Sequence, residues 1–289
     1  MRISLLFNES AGDGVSSEWL CETMEKNGHG PVHLFEKSDF HDVLANSPEL
    51  VVAAGGDGTV RRAVEAIAGQ GIPMAILPLG TANNVARSVG IEGPITQLIE
   101  RWHDANRRPL DLGIVRGSWG QNHFLEGVGS GLIPAGISAM KEELEDDEQH
   151  ADARVARAVR GFHEVFARLE PRRWTLTLDG TRMEDEFLVL EVLNIRSVGP
   201  NLVLFPDADP SDGYLSVVIA KEQHRKELDG YLRCLIEGGD CRVSLPRQLV
   251  RHVEIGGCEE IHVDDRLLRS PQLGVVSIDI QPAAVDLLI

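Results

Sequence analysis

Residues 50–59 read LVVAAGGDGT. The opening residues are apolar without alternation and run into turn formers, which is the pattern of a parallel strand buried on both faces. Gly55, Gly56 and Gly58 omit Cβ atoms where the backbone must turn sharply and let something approach. Thr59 is expected to cap the following helix and to donate to a phosphate. Strand, glycine loop and helix N-terminus together make an anion site, because free N–H groups and the positive helix end face the ligand. Asp57 is the odd member, since a carboxylate repels phosphate. It fits if it holds Mg²⁺ through water or orients the loop by hydrogen bonds.

Around this loop, strand-like runs at 3–7, 32–35 and 73–77 alternate with helical patterns at 15–26, 40–45, 60–68, 83–88 and 95–102. Such alternation predicts an open α/β domain with a mainly parallel sheet. Ligands bind such sheets at the carboxyl ends of the strands. Residues 55–59 and 80–84 fall there, and so does Asn8, which contacts a nucleotide or forms an Asx turn. Thr81, within LPLGTANN at 77–84, is placed to cap the next helix. Arg61 and Arg62 stand where the helix dipole disfavours cations, so they either meet an anion or face solvent.

RRPLD at 107–111 reads as a crossing between domains. Past it the pattern turns to strands, at 174–179 with Asp179-Gly180 as a turn, and at 187–193, 214–220, 251–255, 260–263 and 275–280. The division is therefore an α/β domain over 1–112, which 285–289 returns to complete, and a mostly β, sandwich-like domain over 113–284. Val155, Val159, Phe162 and Phe166 mark one helix at 153–169. The charge run EELEDDE at 142–148 reads as a solvated face, with a lid as the minor reading.

The chain carries 28 basic and 45 acidic residues, a net charge of −17. That disfavours nucleic acid and tight docking on anionic lipid, while leaving room for transient membrane contact. Cys21, Cys234, Cys241 and Cys258 lack metal-type spacing and read as ordinary thiols of a reducing compartment, the cytoplasm. No apolar run approaches about 20 residues, so no membrane span is expected.

GGDGT followed by LPLGTANN resembles the diacylglycerol kinase catalytic-domain family, in its soluble bacterial lipid kinase branch. GGDGT alone also occurs in sphingosine kinases, NAD kinases and phosphofructokinases; the second motif favours the lipid kinases. The resemblance implies an ATP-dependent lipid kinase acting on the free hydroxyl of a diacylglycerol-like or sphingoid lipid, in a cleft between two domains. Asn8, Gly55, Gly56, Asp57, Gly58, Thr59, Gly80 and Thr81 would then border ATP, with Mg²⁺ on its phosphates and Asp57 supporting the ion. DPSDGYL at 209–215 resembles the family's Asp-Gly metal segment, which implies Mg²⁺ ligation by Asp212 and by the carbonyls of Asp209 and Tyr214; an Asp-Gly turn is the plain alternative. HVDDR at 262–266 resembles its Asp-Gly-Glu segment, implying a general base at Asp264 or Asp265. Arg266 replaces the family's glutamate and cannot accept a proton. It either stabilises transferred-phosphoryl charge or marks a weakened kinase. The small-residue stretch 124–137 is a candidate wall for the lipid. Kinases of soluble hydroxyl substrates and non-catalytic nucleotide or lipid binders remain as rival readings, and a homodimer is compatible with the sequence.

Overall fold

A computed structural model of the chain describes residues 1–9, 11, 14–142, 151–270 and 273–289. Most of the 142–148 charge run lies outside the described residues. The chain forms two compact units, residues 1–112 with 282–289 and residues 113–281.

In the first unit the elements are β1 (Ile3–Phe7), α1 (Ser17–Lys26), β2 (Val32–Glu36), β3 (Leu50–Gly55), α2 (Asp57–Ile67), β4 (Met74–Pro78), α3 (Asn84–Val89) and α4 (Ile95–Arg101). The strands pair in the order β2-β1-β3-β4, all parallel. Every residue of β1 and β3 is buried, as a parallel strand covered on both faces requires. At the chain's end, Leu287 pairs parallel with Met74, and Ile289 exchanges backbone hydrogen bonds with Asn106. The expected helix at 40–45 is instead a short 3-10 helix, Lys37–Asp42.

β5 (Arg107–Gly117) leads into the second unit, followed by β6 (Gly120–Phe124), β7 (Gly127–Gly131), α5 (Leu132–Glu142), α6 (Ala151–Phe166), β8 (Arg172–Leu178), β9 (Thr181–Phe187) and β10 (Val189–Leu193). Next come β11 (Ser197–Val198), β12 (Leu202–Val203), β13 (Leu215–Ala220), α7 (Arg225–Glu237), β14 (Arg247–Val250), β15 (His252–Gly256), β16 (Glu260–Val263), β17 (Arg266–Arg269) and β18 (Val276–Leu288). One antiparallel sheet runs β14-β13-β10-β7-β16-β17. Against it packs a second set that includes β8, β9, β15 and the start of β18. Leu190, Val192, Ile261 and Val263 from the first sheet share one core with Leu176, Val253 and Ile278 from the second, which makes the unit a sandwich.

Alternate residues of the six-stranded sheet point the other way, toward the helices. There Val189 and Leu193 pack with Val159, Phe162 and Phe166 of α6 and Leu228 of α7. The spacing that marked α6 in the sequence is thus its buried face.

Two of the four cysteines depart from the reading as free thiols. Cys234 and Cys241 form a disulfide with Cα atoms 5.7 Å apart. Gly238 ends α7 in the left-handed region, at φ +74°, and turns the chain back toward the helix. Cys21 and Cys258 remain free. Among the described residues no helix is long and apolar enough to cross a membrane.

Candidate active site

Connections leave β1 and β3 in opposite directions along the sheet, which makes their carboxyl ends the switch point where α/β sheets bind ligands. Asn8 follows β1, and its N–H donates to the Ala54 carbonyl at 3.1 Å, so it stands beside the glycine loop. The two glycine motifs interlock. Leu79 N–H donates to the Gly55 carbonyl at 3.1 Å, and a Cβ on Gly56 would come within 3.2 Å of the Gly80 Cα. The Asn83 side chain braces the second loop, accepting from Gly80 N–H at 2.9 Å and donating to the Gly80 carbonyl at 2.8 Å.

Neither expected threonine cap is present. Helix α2 begins at Asp57 because Gly56 takes the cap position, so Thr59 lies one turn inside. Thr59 is buried, its hydroxyl has no hydrogen-bond partner among the described residues, and its side chain fills the space that a Cβ on Gly55 would need. In helix α3 the cap position is Asn83, at φ +51°, not Thr81, and the Asn83 side chain makes no capping hydrogen bond. The donor at the head of α3 is met by Asp57, whose Oδ1 accepts from Val85 N–H at 2.9 Å. Such a bond ties the first glycine loop to the helix that follows the second.

The neighbouring arginines are also committed. Arg61 is buried and paired with Glu65 at 2.7 Å. Arg62 donates to the Lys37 carbonyl at 2.9 Å and lies over the Phe40 ring. Sequence reasoning passed over Lys37, whose Nζ lies 3.3 Å from where a Cβ on Gly58 would stand. Its only signal was a cation just past a strand at the same sheet end as the glycine loops.

In the second unit, Asp264 and Asp265 form the two-residue turn between β16 and β17. Asp264 adopts φ +51° and is buried. Its carboxylate accepts the N–H groups of Leu125, Glu126 and Gly127 at 2.9–3.2 Å, while its own N–H donates to the Gly127 carbonyl at 2.9 Å. Asp265 is exposed. Arg266 is half-buried, and its Nη2 has no hydrogen-bond partner among the described residues.

Beside this turn lies a pair that motif reading missed. His262 Nε2 and Glu191 Oε2 are 2.7 Å apart, both fully buried, and His262 Nδ1 is 2.8 Å from the Asp264 carbonyl oxygen. Burial pushes the Glu191 carboxyl up. Burial works to push the His262 imidazole down, but the Glu191 carboxylate and the Asp264 backbone carry it above its ordinary value. The readable signal was one carboxylate inside the apolar run FLVLEVL at 187–193.

Asp209, Asp212 and Tyr214 share one turn that internal hydrogen bonds brace, and Arg251 donates to the Tyr214 hydroxyl from outside it at 3.3 Å. Asp209 Oδ1 accepts from Ser211 N–H at 3.0 Å, Asp212 Oδ1 from Tyr214 N–H at 2.8 Å, and the Asp209 carbonyl from Asp212 N–H at 3.3 Å. Among the described residues no group of three metal-ligating side chains is present. Of the 124–137 stretch, Phe124 and Val128 are packed in the sandwich core. Ser130, Gly131 and Ala135 line a groove of about 750 Å³ with Leu169, Trp174 and Arg269.

Residues 2–115 match the model of the diacylglycerol kinase catalytic domain, and residues 131–288 match that of the YegS C-terminal NAD kinase beta sandwich-like domain. A Mycobacterium tuberculosis protein named diacylglycerol kinase is 26% identical over 274 residues, 89% of this chain and 86% of that protein. A Pseudomonas aeruginosa protein named "Probable lipid kinase YegS-like" is 34% identical over 227 residues, 77% of this chain and 71% of its own. In fold, the chain is similar to a crystal structure titled as a diacylglycerol kinase from Bacillus anthracis, with TM-score 0.73, 18% identity, and coverage of 99% and 96%. It is also similar in fold to an Archaeoglobus fulgidus NAD kinase solved with ATP, with TM-score 0.53, 11% identity, and coverage of 100% and 94%.

Proposed function

The chain belongs to the lipid kinase family of diacylglycerol kinases and YegS-like proteins, and from that premise we propose that it transfers the γ-phosphoryl group of ATP to the hydroxyl of a diacylglycerol-like or sphingoid lipid. The observation that carries this reading is the backbone contact of Gly56 with Gly80 at the switch point of the parallel sheet. Side chains there would push the two loops apart and displace the backbone that a phosphate chain would rest on, and the N-terminus of α2 offers it N–H donors.

In this reading ATP phosphates lie on residues 55–59 and 80–81, beside Asn8. Thr59 supports the loop from beneath through its buried side chain. Asp57 offers the hard oxygen chemistry that suits Mg²⁺, and the bound ion would neutralise phosphate charge. The chain's own groups position the reactants; little covalent chemistry is asked of them. The lipid hydroxyl oxygen bonds to the γ-phosphorus, the bond to the β-phosphate oxygen breaks, ADP leaves, and the hydroxyl proton passes to a carboxylate.

Of the two candidate acids, the surroundings favour Asp265 as that acceptor. The Asp264 oxygens are already engaged by three backbone N–H groups, whereas Asp265 is exposed. Asp264 then holds the turn in place. The 209–214 turn stands outside the phosphoryl-transfer steps; Asp212 with the carbonyls of Asp209 and Tyr214 would hold a separate Mg²⁺ ion there.

The test is incubation of the purified chain with γ-labelled ATP, Mg²⁺ and micellar diacylglycerol, sphingosine or mixed bacterial lipid. Labelled lipid is the expected result. ATP binding with label only in soluble acceptors, or in none, would overturn the lipid reading.

A further inference from the structure

Glu191 and His262 are not adjacent in the sheet. Both pair with Gly129, Glu191 from the β10 side and His262 from the β16 side. The glycine leaves the gap between them open, and a Cβ at Gly129 would overlap the Glu191 carboxylate. Across that gap the Glu191 side chain reaches the imidazole at 2.7 Å. Residue alternation puts both groups on the helix-facing side of the sheet, with Val189 and Leu193, and there they are fully buried.

The imidazole's protonation at one nitrogen follows from its partner. The Asp264 carbonyl oxygen, 2.8 Å from Nδ1, can only accept, so Nδ1 carries a proton and donates. The contact at Nε2 then holds one proton between imidazole and carboxylate. In either arrangement the pair is neutral as a whole, which is the condition for burying it.

We infer that His262 and Glu191 are positioning residues for the Asp264–Asp265 turn. Glu191 fixes the imidazole, the imidazole holds the Asp264 carbonyl, and the Asp264 carboxylate gathers the N–H groups of residues 125–127. The left-handed backbone of Asp264, disfavoured for most residues, is thereby held from both its carbonyl and its side chain. The consequence for chemistry is that Asp265 is presented from a fixed turn. This part rests on the kinase reading above.

Two substitutions separate positioning from bulk. His262→Asn keeps a donor near the Nδ1 position, whereas His262→Gln keeps one near Nε2 only. Hydrogen exchange of the 125–127 amides reads the turn directly and needs no turnover. We expect exchange to rise roughly tenfold or more in H262Q over H262N. We also expect kcat to fall about tenfold further in H262Q, with KM for ATP changed less than about twofold between the two. Equal behaviour of the two variants, both like wild type or both exchanging fast, would overturn the inference. Should H262Q fail to fold, ¹⁵N-histidine spectra of the wild-type chain decide: a protonated Nδ1 on His262 is expected, and a bare Nδ1 overturns it. An inactive wild type would sink the kinase reading and leave both of these measurements to decide this one.

Discussion

The Asp57 carboxylate reaches the head of a different helix: its Oδ1 accepts from Val85 N–H at 2.9 Å, 28 residues along the chain. One side chain of the first glycine motif therefore fixes the second. The Asn83 side chain makes no capping bond to helix α3, and Asp57 meets the Val85 N–H in its place.

Asp57→Ala and Asp57→Asn should come apart. The alanine removes the acceptor and costs about 1 kcal/mol of stability, the usual worth of a helix cap. Asparagine keeps an acceptor and should unfold in urea near the wild-type midpoint. Both should lose phosphoryl transfer; full activity in Asp57→Ala would sink the site assignment.

Gly80→Ala places a methyl group against the Gly56 backbone and within 2.9 Å of Asn83 Oδ1. The expected result is a folded chain with weakened ATP binding, read by titration calorimetry. As a control, Gly230 lies within α7 with open space at its Cβ position. Gly230→Ala should stabilise the chain by about 0.5–1 kcal/mol and leave ATP binding alone. Unchanged ATP affinity in Gly80→Ala would remove the loop contact from the binding argument.

The two acids of the turn should behave oppositely. Asp264→Ala strands three backbone donors and should cost about 3 kcal/mol or more. Asp265→Ala, at an exposed position, should change stability by less than about 0.5 kcal/mol yet lower kcat by about 100-fold. A fully active Asp265→Ala would return the base role to another group.

The buried pair predicts a pH dependence. The imidazole of His262 is raised in the folded chain, so the stability it contributes is whole below about pH 6.5, its unfolded value, and fades as pH climbs through the folded one. Glu191 is raised as well, by burial, and acts in the same sense, since ionising it costs more in the fold than in the unfolded chain. In Glu191→Gln the imidazole loses its carboxylate. The stability gap between wild type and this variant, from urea unfolding, should therefore narrow as pH rises from 6.5 toward 9. The slope of a one-proton difference is at most about 1.4 kcal/mol per pH unit. A gap that stays constant over that range would argue against the shared proton.

Much of the first unit was legible because its signals are local. The run 50–54 and the glycines after it are consecutive residues, and the parallel strand and loop follow from their side chains alone. The helical pattern after them begins at 60, yet the helix starts at Asp57, because a glycine cap leaves no side-chain mark. In the same way, the alternation at 174–179 and the strand-like run at 260–263 announced the second unit, while the sheet each joins left no trace in the pattern.

By itself, then, the sequence determined a parallel α/β unit with a glycine loop at its strand ends, a β-rich second unit, and the motifs that the lipid kinases share. Only the tertiary structure decided how the polar groups are spent. Asp57 meets Val85, Asp264 meets an amide 138 residues away, and Glu191 crosses Gly129 to a histidine 71 residues away. The reason is physical: periodicity and turn chemistry are set between near neighbours along the chain. Which donor a buried carboxylate finds is set by which strands lie side by side, and strand order is a property of the whole fold.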